Sequence, residues 1–439
     1  MPDIVELEQR KPTSLRGIAK TARNNKKHRF KNLACSLTPD FLKRGWDRMN
    51  KNAASGVDNI TAKDYAKDLN ENLQRLSDRL KSNRYKAKLV KRKYIPKENG
   101  KERPLGIPAL EDKIVQSACA LLLAAIYEQD FLDMSYGYRP ERDAKLAVSE
   151  LTFQLQYGVY GYVVEADIKG FFDNIDHDWL LKMMALRIGD KAFLRLITKW
   201  LKAGVLEPDG LIIHPETGTP QGGIVSPILA NIYLHYALDL WFEQVVKKHC
   251  DGRAIICRYA DDWVCAFQFH RDAERFYEVM PKRLEKFNLA VEPSKTKKLK
   301  FSRFHPSMTS TFIFLGFEFY WFTDRTGQPR MMKRTAQKKL QGAIQRITLW
   351  IKKARHLPKR TFFKALNRRL IGHYNYYGMR GNSRSIWQFY DVVIERCFKW
   401  LNRRSQRKSF TWVKFKDLVK YVGIAKPRIT QQRQNFRAT

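Results

Sequence analysis

The chain has 439 residues, enough for two or three domains with a proper core. Its 82 lysines and arginines exceed its 44 acids by 38, an imbalance that calls for a polyanionic partner, nucleic acid before a membrane surface. The apolar run at 120–126 is far short of the roughly 20 residues that span a bilayer, Asp3, Glu6 and Glu8 argue against a targeting leader, and six scattered cysteines without a Cys-x-x-Cys pair argue against a zinc knuckle or a disulfide framework. A cytoplasmic protein with reduced thiols is expected.

Residues 1–30 are polar and basic and read either as a mobile tail or as an arm that orders on RNA. Helical spacing begins at Thr38-Pro39-Asp40, and Leu69, Leu73, Leu76 and Leu80 mark a helix within 62–84; a Gly/Asn/Asp loop at 50–61 separates them. Two basic arms flank Asn99-Gly100 between Lys91 and Pro108, a strong hairpin signal. They are either a solvated ribbon or a phosphate-binding one. Residues 111–130 read as a helix buried on most sides, and Ser135-Tyr136-Gly137-Tyr138-Arg139-Pro140 follows.

The apolar strand Tyr162-Val163-Val164-Glu165-Ala166-Asp167 ends in a carboxylate and runs into Gly170-Phe171-Phe172. Asp173, Asp176 and His177 read as turn and cap residues, and 178–201 as one helix. Thr219-Pro220-Gln221-Gly222-Gly223 precedes an apolar helix at 228–240, and paired glycines let backbone approach a ligand closely. Apolar runs on both sides of Tyr259-Ala260-Asp261-Asp262 read as a β-hairpin with two carboxylates at its turn. Val291-Glu292-Pro293-Ser294-Lys295 and the apolar strand Phe314-Leu315-Gly316-Phe317-Glu318-Phe319 come next. From residue 325 on, 30 lysines and arginines meet three acids, aromatics interleave the charge, and helix patterns recur at 333–355, 360–377 and 385–403. Basic faces carrying aromatics suit RNA shape recognition, although a helical bundle would bury most of those rings.

An isolated Asp-Asp is ordinary turn chemistry. Two adjacent carboxylates are costly to hold together unless a cation neutralises them, and oxygen-only donors suit Mg²⁺. A second strand ending in Asp167 makes a two-metal site for phosphoryl transfer the sharper interpretation.

Tyr259-Ala260-Asp261-Asp262 matches the Tyr-x-Asp-Asp signature of reverse transcriptases, and the order of blocks over about 50–425 resembles group II intron-encoded reverse transcriptase/maturases. Leu370-Ile371-Gly372-His373-Tyr374-Asn375-Tyr376-Tyr377-Gly378 resembles their thumb, or maturase-specific region. The resemblance implies an α+β right-hand polymerase followed by an all-helical thumb. The expected divisions are a basic arm at 1–36, fingers and palm at 37–325 (palm from about 161), a helical thumb at 326–425 and a basic tail at 426–439. It implies two Mg²⁺ ions on Asp167, Ile168, Asp261 and Asp262. Asp167 and Asp261 are the firmer ligands, since successive strand residues face opposite sides. It implies Lys97 and Arg103 on the incoming triphosphate, Arg139 near the template, and Phe172 beneath the sugar as a gate against the 2′-hydroxyl. It further implies Gln221, with Gly222, against the template base and nucleotide, Lys295 at the leaving pyrophosphate, and Gly316 against the primer.

The function implied is RNA-directed DNA synthesis by target-primed reverse transcription, with intron RNA binding that assists splicing. Partners are structured intron RNA, a DNA target or primer and dNTP, in a nucleoid or ribonucleoprotein setting, with no membrane and with homodimerisation left open. No Cys-pair and His cluster follows the thumb, so an HNH-type endonuclease domain is not expected. A splicing-only maturase and a domesticated reverse transcriptase in defence or repair are the alternatives.

Overall fold

The computed structural model describes residues 14–96, 102–219, 222–307, 309–404 and 409–432. Its strands are β1 (Val90–Pro96), β2 (Glu102–Ile107), β3 (Tyr162–Asp167), β4 (Val205–Leu206), β5 (Ile212–Ile213), β6 (Ala254–Tyr259), β7 (Asp262–Phe267), β8 (Lys297–Lys300), β9 (Phe312–Phe314), β10 (Phe317–Thr323) and β11 (Pro329–Thr335). The helices used below are α1 (Leu15–Asn24), α2 (Pro39–Arg48), α3 (Leu69–Lys81), α4 (Leu110–Tyr127), α5 (Ala144–Tyr157), α6 (His177–Ala185), α7 (Lys191–Leu201), α8 (Ser226–Leu234), α9 (Gln337–Ala354), α10 (Lys359–Tyr377), α11 (Ser383–Leu401) and α12 (Trp412–Tyr421). The mixed α+β character and the helical C-terminal region are those expected. The chain packs as two units, one of Met1–Glu141, Asp167–His249 and Glu278–Glu292, the other of Arg142–Ala166, Cys250–Tyr277 and Pro293–Thr439. This division cuts across the expected boundary at 325/326.

In the first unit α4 is the hub. Its apolar residues run all the way round, so it is buried along most of its length and packs against α1 and α2. The described part of the N-terminal arm is not a mobile tail. Ser14 caps α1, and Ile18 and Ala22 bury one face of it. Arg187 donates to the carbonyls of Ala22, Asn25 and His28, and Phe30 bridges in parallel to Ile188. The same contacts explain why 178–201 is two helices rather than one. The Phe30 N–H donates to the Arg187 carbonyl and the Gly189 N–H to the Phe30 carbonyl, which takes 187–189 out of the helix, and Asp190 caps α7. A four-stranded sheet in the order β2-β1-β4-β5 carries the basic hairpin, with Ile95 opposite Arg103 and Pro96 opposite Glu102. Its Asn99-Gly100 tip lies outside the described residues.

The second unit holds the sheet β6-β7-β3-β8, with α5 packed on β6. A second sheet, β11-β10-β9, joins it to the helices. Two expectations change here. Phe314 to Phe319 is not one strand: β9 ends at Phe314 and β10 starts at Phe317, with Leu315-Gly316 as the turn. Residues 329–335, counted in part as helix, form β11 and pair along seven residues of β10. Met331, Lys333 and Thr335 bury alternately, a period of two that only a strand gives. The helices α9, α10, α11 and α12 then enclose a core that includes Leu340, Ile351, Phe362, Leu366, Leu370 and Phe389.

Candidate active site

In the second unit β6 and β7 pair in register from Ala254 opposite Phe267 to Tyr259 opposite Asp262. Only Ala260 and Asp261 connect them, and Ala260 takes a left-handed φ of +57°. A side chain there is strained, and the turn is held from below. Arg258 is fully buried and donates from Nη1 to the Ala260 carbonyl at 3.0 Å. The strand beneath is buried from Trp263 to Phe267, so the turn stands on a rigid base. Asp261 and Asp262 are half-buried. The sheet neighbour of β7 is β3, whose last residue is Asp167.

In the first unit Asp167, Ile168 and Lys169 are pinned by residues 290–292. The Asp167 carbonyl accepts the Glu292 N–H at 2.8 Å, Ile168 bridges to Val291, and the Lys169 N–H donates to the Ala290 carbonyl at 2.8 Å. Gly170, at φ +56°, turns the chain into a short 3₁₀ segment that buries Phe171 and leaves Phe172 half-buried. The Phe172 carbonyl accepts the Thr219 N–H at 2.8 Å, and the Ile175 carbonyl accepts the Gly218 N–H at 2.7 Å. His177 bonds the Gly218 carbonyl at 2.6 Å, and Asp176 caps α6, as expected of turn and cap residues. Gly218 and Thr219 are thereby fixed beside Phe172. Beyond them, Gly222 lies against Gly106 of β2, and the Ile224 N–H donates to Gln116 of α4 at 2.9 Å. The first unit thus gathers the end of β3, Phe172, Gly222 and the arm that carries Arg103. Arg103 is exposed. Lys97 and Gln221 lie outside the described residues.

Arg139 departs from expectation. It is buried, pairs with Glu128 at 3.0 Å, donates to the carbonyls of Leu132 and Ser135, and lies over the Phe131 ring. Those contacts make it a brace for 128–139. It nonetheless borders a cavity of about 620 Å³ that Arg48, Lys113, Tyr138 and Gly222 also line. Lys113 holds the 50–61 loop by donating to the Ala54 carbonyl at 2.5 Å, and burial lowers the pKa of its amine.

Lys295 ends a short exposed 3₁₀ turn. Gly316, at φ +78°, sits in the β9–β10 turn. At the far end of the helical region, Lys352, Arg355, Lys399 and Arg403 crowd round the Trp400 ring at 5.4–5.9 Å. Four cations gathered on one ring repel one another, so an anion beside them would be favourable.

Sequence reasoning missed Arg258, Lys113 and the contact of Tyr376 with the 315–316 turn. An arginine three residues before a carboxylate pair was the one signal available, and it reads as a surface charge until the strand is known to be buried. Among the described residues no group of three or more His, Cys, Asp and Glu side chains forms a metal cluster. The donor set at the turn is all carboxylate oxygen, the chemistry a hard divalent cation takes.

The family described as reverse transcriptase (RNA-dependent DNA polymerase) matches residues 95–319, which include both carboxylate strands and the glycine block. Protein YkfC of Escherichia coli is 34% identical over 332 residues, covering 68% of this chain and 84% of that protein. The group II intron-encoded protein LtrA of Lactococcus lactis is 40% identical over 245 residues, 54% of this chain and 40% of LtrA. The putative COX1/OXI3 intron 1 protein of Saccharomyces cerevisiae is 33% identical over 181 residues, 41% of this chain and 21% of that protein. The matched regions thus span less than half the length of the two intron proteins.

Proposed function

The chain belongs to the reverse transcriptase (RNA-dependent DNA polymerase) family, in its group II intron-encoded branch, and from that premise we propose that it extends a DNA primer by copying structured intron RNA, in target-primed reverse transcription. The observation that supports this most directly is the Tyr259–Asp262 turn, two adjacent carboxylates on a buried hairpin whose sheet neighbour ends in Asp167.

Asp167, Asp261 and Asp262, with the backbone of Ile168, would hold two Mg²⁺ ions. When bound, such ions make the primer 3′-hydroxyl a better nucleophile and offset charge on the leaving pyrophosphate. The chain's own groups do the rest. Lys97 and Arg103 would neutralise the triphosphate, Arg103 being able to grip two oxygens at once. Lys295 would place a cation or a proton at the leaving group. Phe172 offers a 2′-hydroxyl no polar partner, which favours dNTP. Gln221 and Gly222 would line the template base and nucleotide, and Gly316 lets primer backbone come close.

A second function, binding intron RNA to assist splicing, draws support from the four cations round Trp400. Lys352 and Arg355 lie roughly 20 Å along α9 from its first turn, at 1.5 Å per residue, and Lys399 and Arg403 meet them from the end of α11. Primer extension on an RNA template, with and without the Asp261/Asp262 carboxylates, tests the polymerase. Splicing assays on the same variants separate the two roles.

A further inference from the structure

The turn between β9 and β10 is made of two consecutive left-handed residues, Leu315 (φ +51°) and Gly316 (φ +78°). Glycine takes that conformation freely and leucine does not, so something must hold Leu315. Tyr376, in the last turn of α10, does so: its hydroxyl donates to the Leu315 carbonyl at 3.0 Å. Its ring lies parallel to Phe317, the residue after the turn, with centroids 6.1 Å apart. Tyr377 packs on the same phenylalanine at 5.4 Å, and its hydroxyl would be 3.2 Å from a Cβ on Gly316. The Gly316 carbonyl accepts the Ala336 N–H at 3.0 Å.

The helix end that delivers Tyr376 is itself fixed. Asn382 accepts the Thr335 N–H at 2.7 Å and donates to the Tyr377 carbonyl at 2.8 Å, which ties α10 to the end of β11. Tyr376 also lies within electrostatic reach of Tyr259 and Asp262. Burial first, then Tyr377, Tyr259 and Asp262, push its phenol pKa upward. At 40% exposed it is still reachable by a ligand. One side chain therefore holds the Leu315-Gly316 turn by a hydrogen bond and lies within electrostatic reach of Asp262.

Building on the reverse transcriptase reading, we propose that Tyr376 is a positioning residue for primer extension, its hydroxyl fixing the Leu315-Gly316 turn and through it the primer 3′ end relative to the Asp261-Asp262 turn. The helical thumb then contributes directly to alignment at the reacting end, besides any grip on the duplex.

Tyr376→Phe is the discriminating variant, because it keeps the ring on Phe317 and removes only the donor. Single-nucleotide addition on a preformed RNA template–DNA primer duplex should slow about five- to tenfold in kcat, the scale of one missing hydrogen bond. KM for dNTP and the Kd for the duplex should stay within about twofold, as expected when ground-state binding is untouched. Hydrogen exchange should quicken in peptides covering 312–318 and stay unchanged in α9 and α11. Unchanged kcat, or unchanged exchange at 312–318, overturns the proposal. So does exchange that quickens throughout the helices together with a lowered Tm, which would make Tyr376 ordinary packing. Failure of the underlying reading looks different: the wild-type chain would then extend no primer, and this inference would fall with it.

Discussion

Gly222 lies against Gly106. A Cβ on Gly222 would stand 2.5 Å from the Gly106 carbonyl oxygen, and its φ is +117°. Both the close approach and the dihedral forbid a side chain, and the neighbouring atom is backbone, which cannot swing aside. Gly222→Ala is expected to cost about 1–3 kcal/mol in urea unfolding and to raise KM for dNTP, because the loop carrying Gln221 must leave β2. Unfolding curves and steady-state kinetics on the same preparation check both. A neutral substitution would contradict the close approach.

Phe172 follows Asp167 by five residues and is held by its own carbonyl, which accepts the Thr219 N–H. Its ring meets Phe171 edge-on at 5.5 Å. Phe172→Val keeps an apolar wall and shortens it. Discrimination between dNTP and NTP, measured as the ratio of kcat/KM values, should fall by at least about tenfold, since a shorter wall no longer excludes the extra hydroxyl. An unchanged ratio would remove Phe172 from the gate.

Much of this was legible in the sequence for local reasons. The Tyr259–Asp262 hairpin announces itself because alternation and turn residues act over a few positions. The glycine block did so as well, through Gly222. The misreadings are long-range. Leu315-Gly316 breaks an apolar run only because Tyr376, 61 residues on, holds the turn. Residues 333–335 look helical because lysines and arginines mask a period of two, and β10 supplies the partner. Arg139 reads equally as a template contact or as a packing residue, and only the structure shows Glu128 and two carbonyls bracing it. The N-terminal segment reads equally as a tail or as an arm that orders on RNA because its basic residues outnumber Ile18 and Ala22, and only Arg187 reveals where it docks.

His373 gives the helical region an acid limit. It stacks on Phe389 at 3.8 Å, and burial, with Arg346 second, lowers its pKa to about 4 from 6.5. The unfolded chain therefore binds a proton that the folded chain refuses between about pH 6.5 and 4. Stability supplied by neutral His373 is fully present above pH 6.5 and lost as the pH falls through that window, by about 2 kcal/mol at pH 5. Asp112 has the opposite sign: burial raises its pKa to about 6 from 3.8, so its contribution rises as the pH falls from about 6 to 3.8. In urea melts the stability of wild type relative to His373→Phe should fall by about 2 kcal/mol between pH 7 and pH 5. A constant gap would contradict the assignment.

The cations at Trp400 predict a salt signature. Replacing Lys352, Arg355, Lys399 and Arg403 with glutamine should lower affinity for structured RNA and flatten its dependence on log salt by about 3, at about 0.7–0.9 for each phosphate no longer neutralised. Single-nucleotide extension on a short duplex should persist. A slope equal to wild type would show that the cluster meets no phosphate.

The central claim is that the carboxylates of Asp167, Asp261 and Asp262 drive templated DNA synthesis. Primer extension on an RNA template in Mg²⁺, wild type beside Asp261→Ala/Asp262→Ala, tests it most directly, with dNTPs and NTPs supplied separately and RNA binding measured in parallel. Full-length DNA from wild type with dNTPs alone, none from the double variant, and RNA affinity within about twofold between them is the predicted result. Extension by the double variant, or none by a wild-type chain that binds RNA tightly, would contradict it.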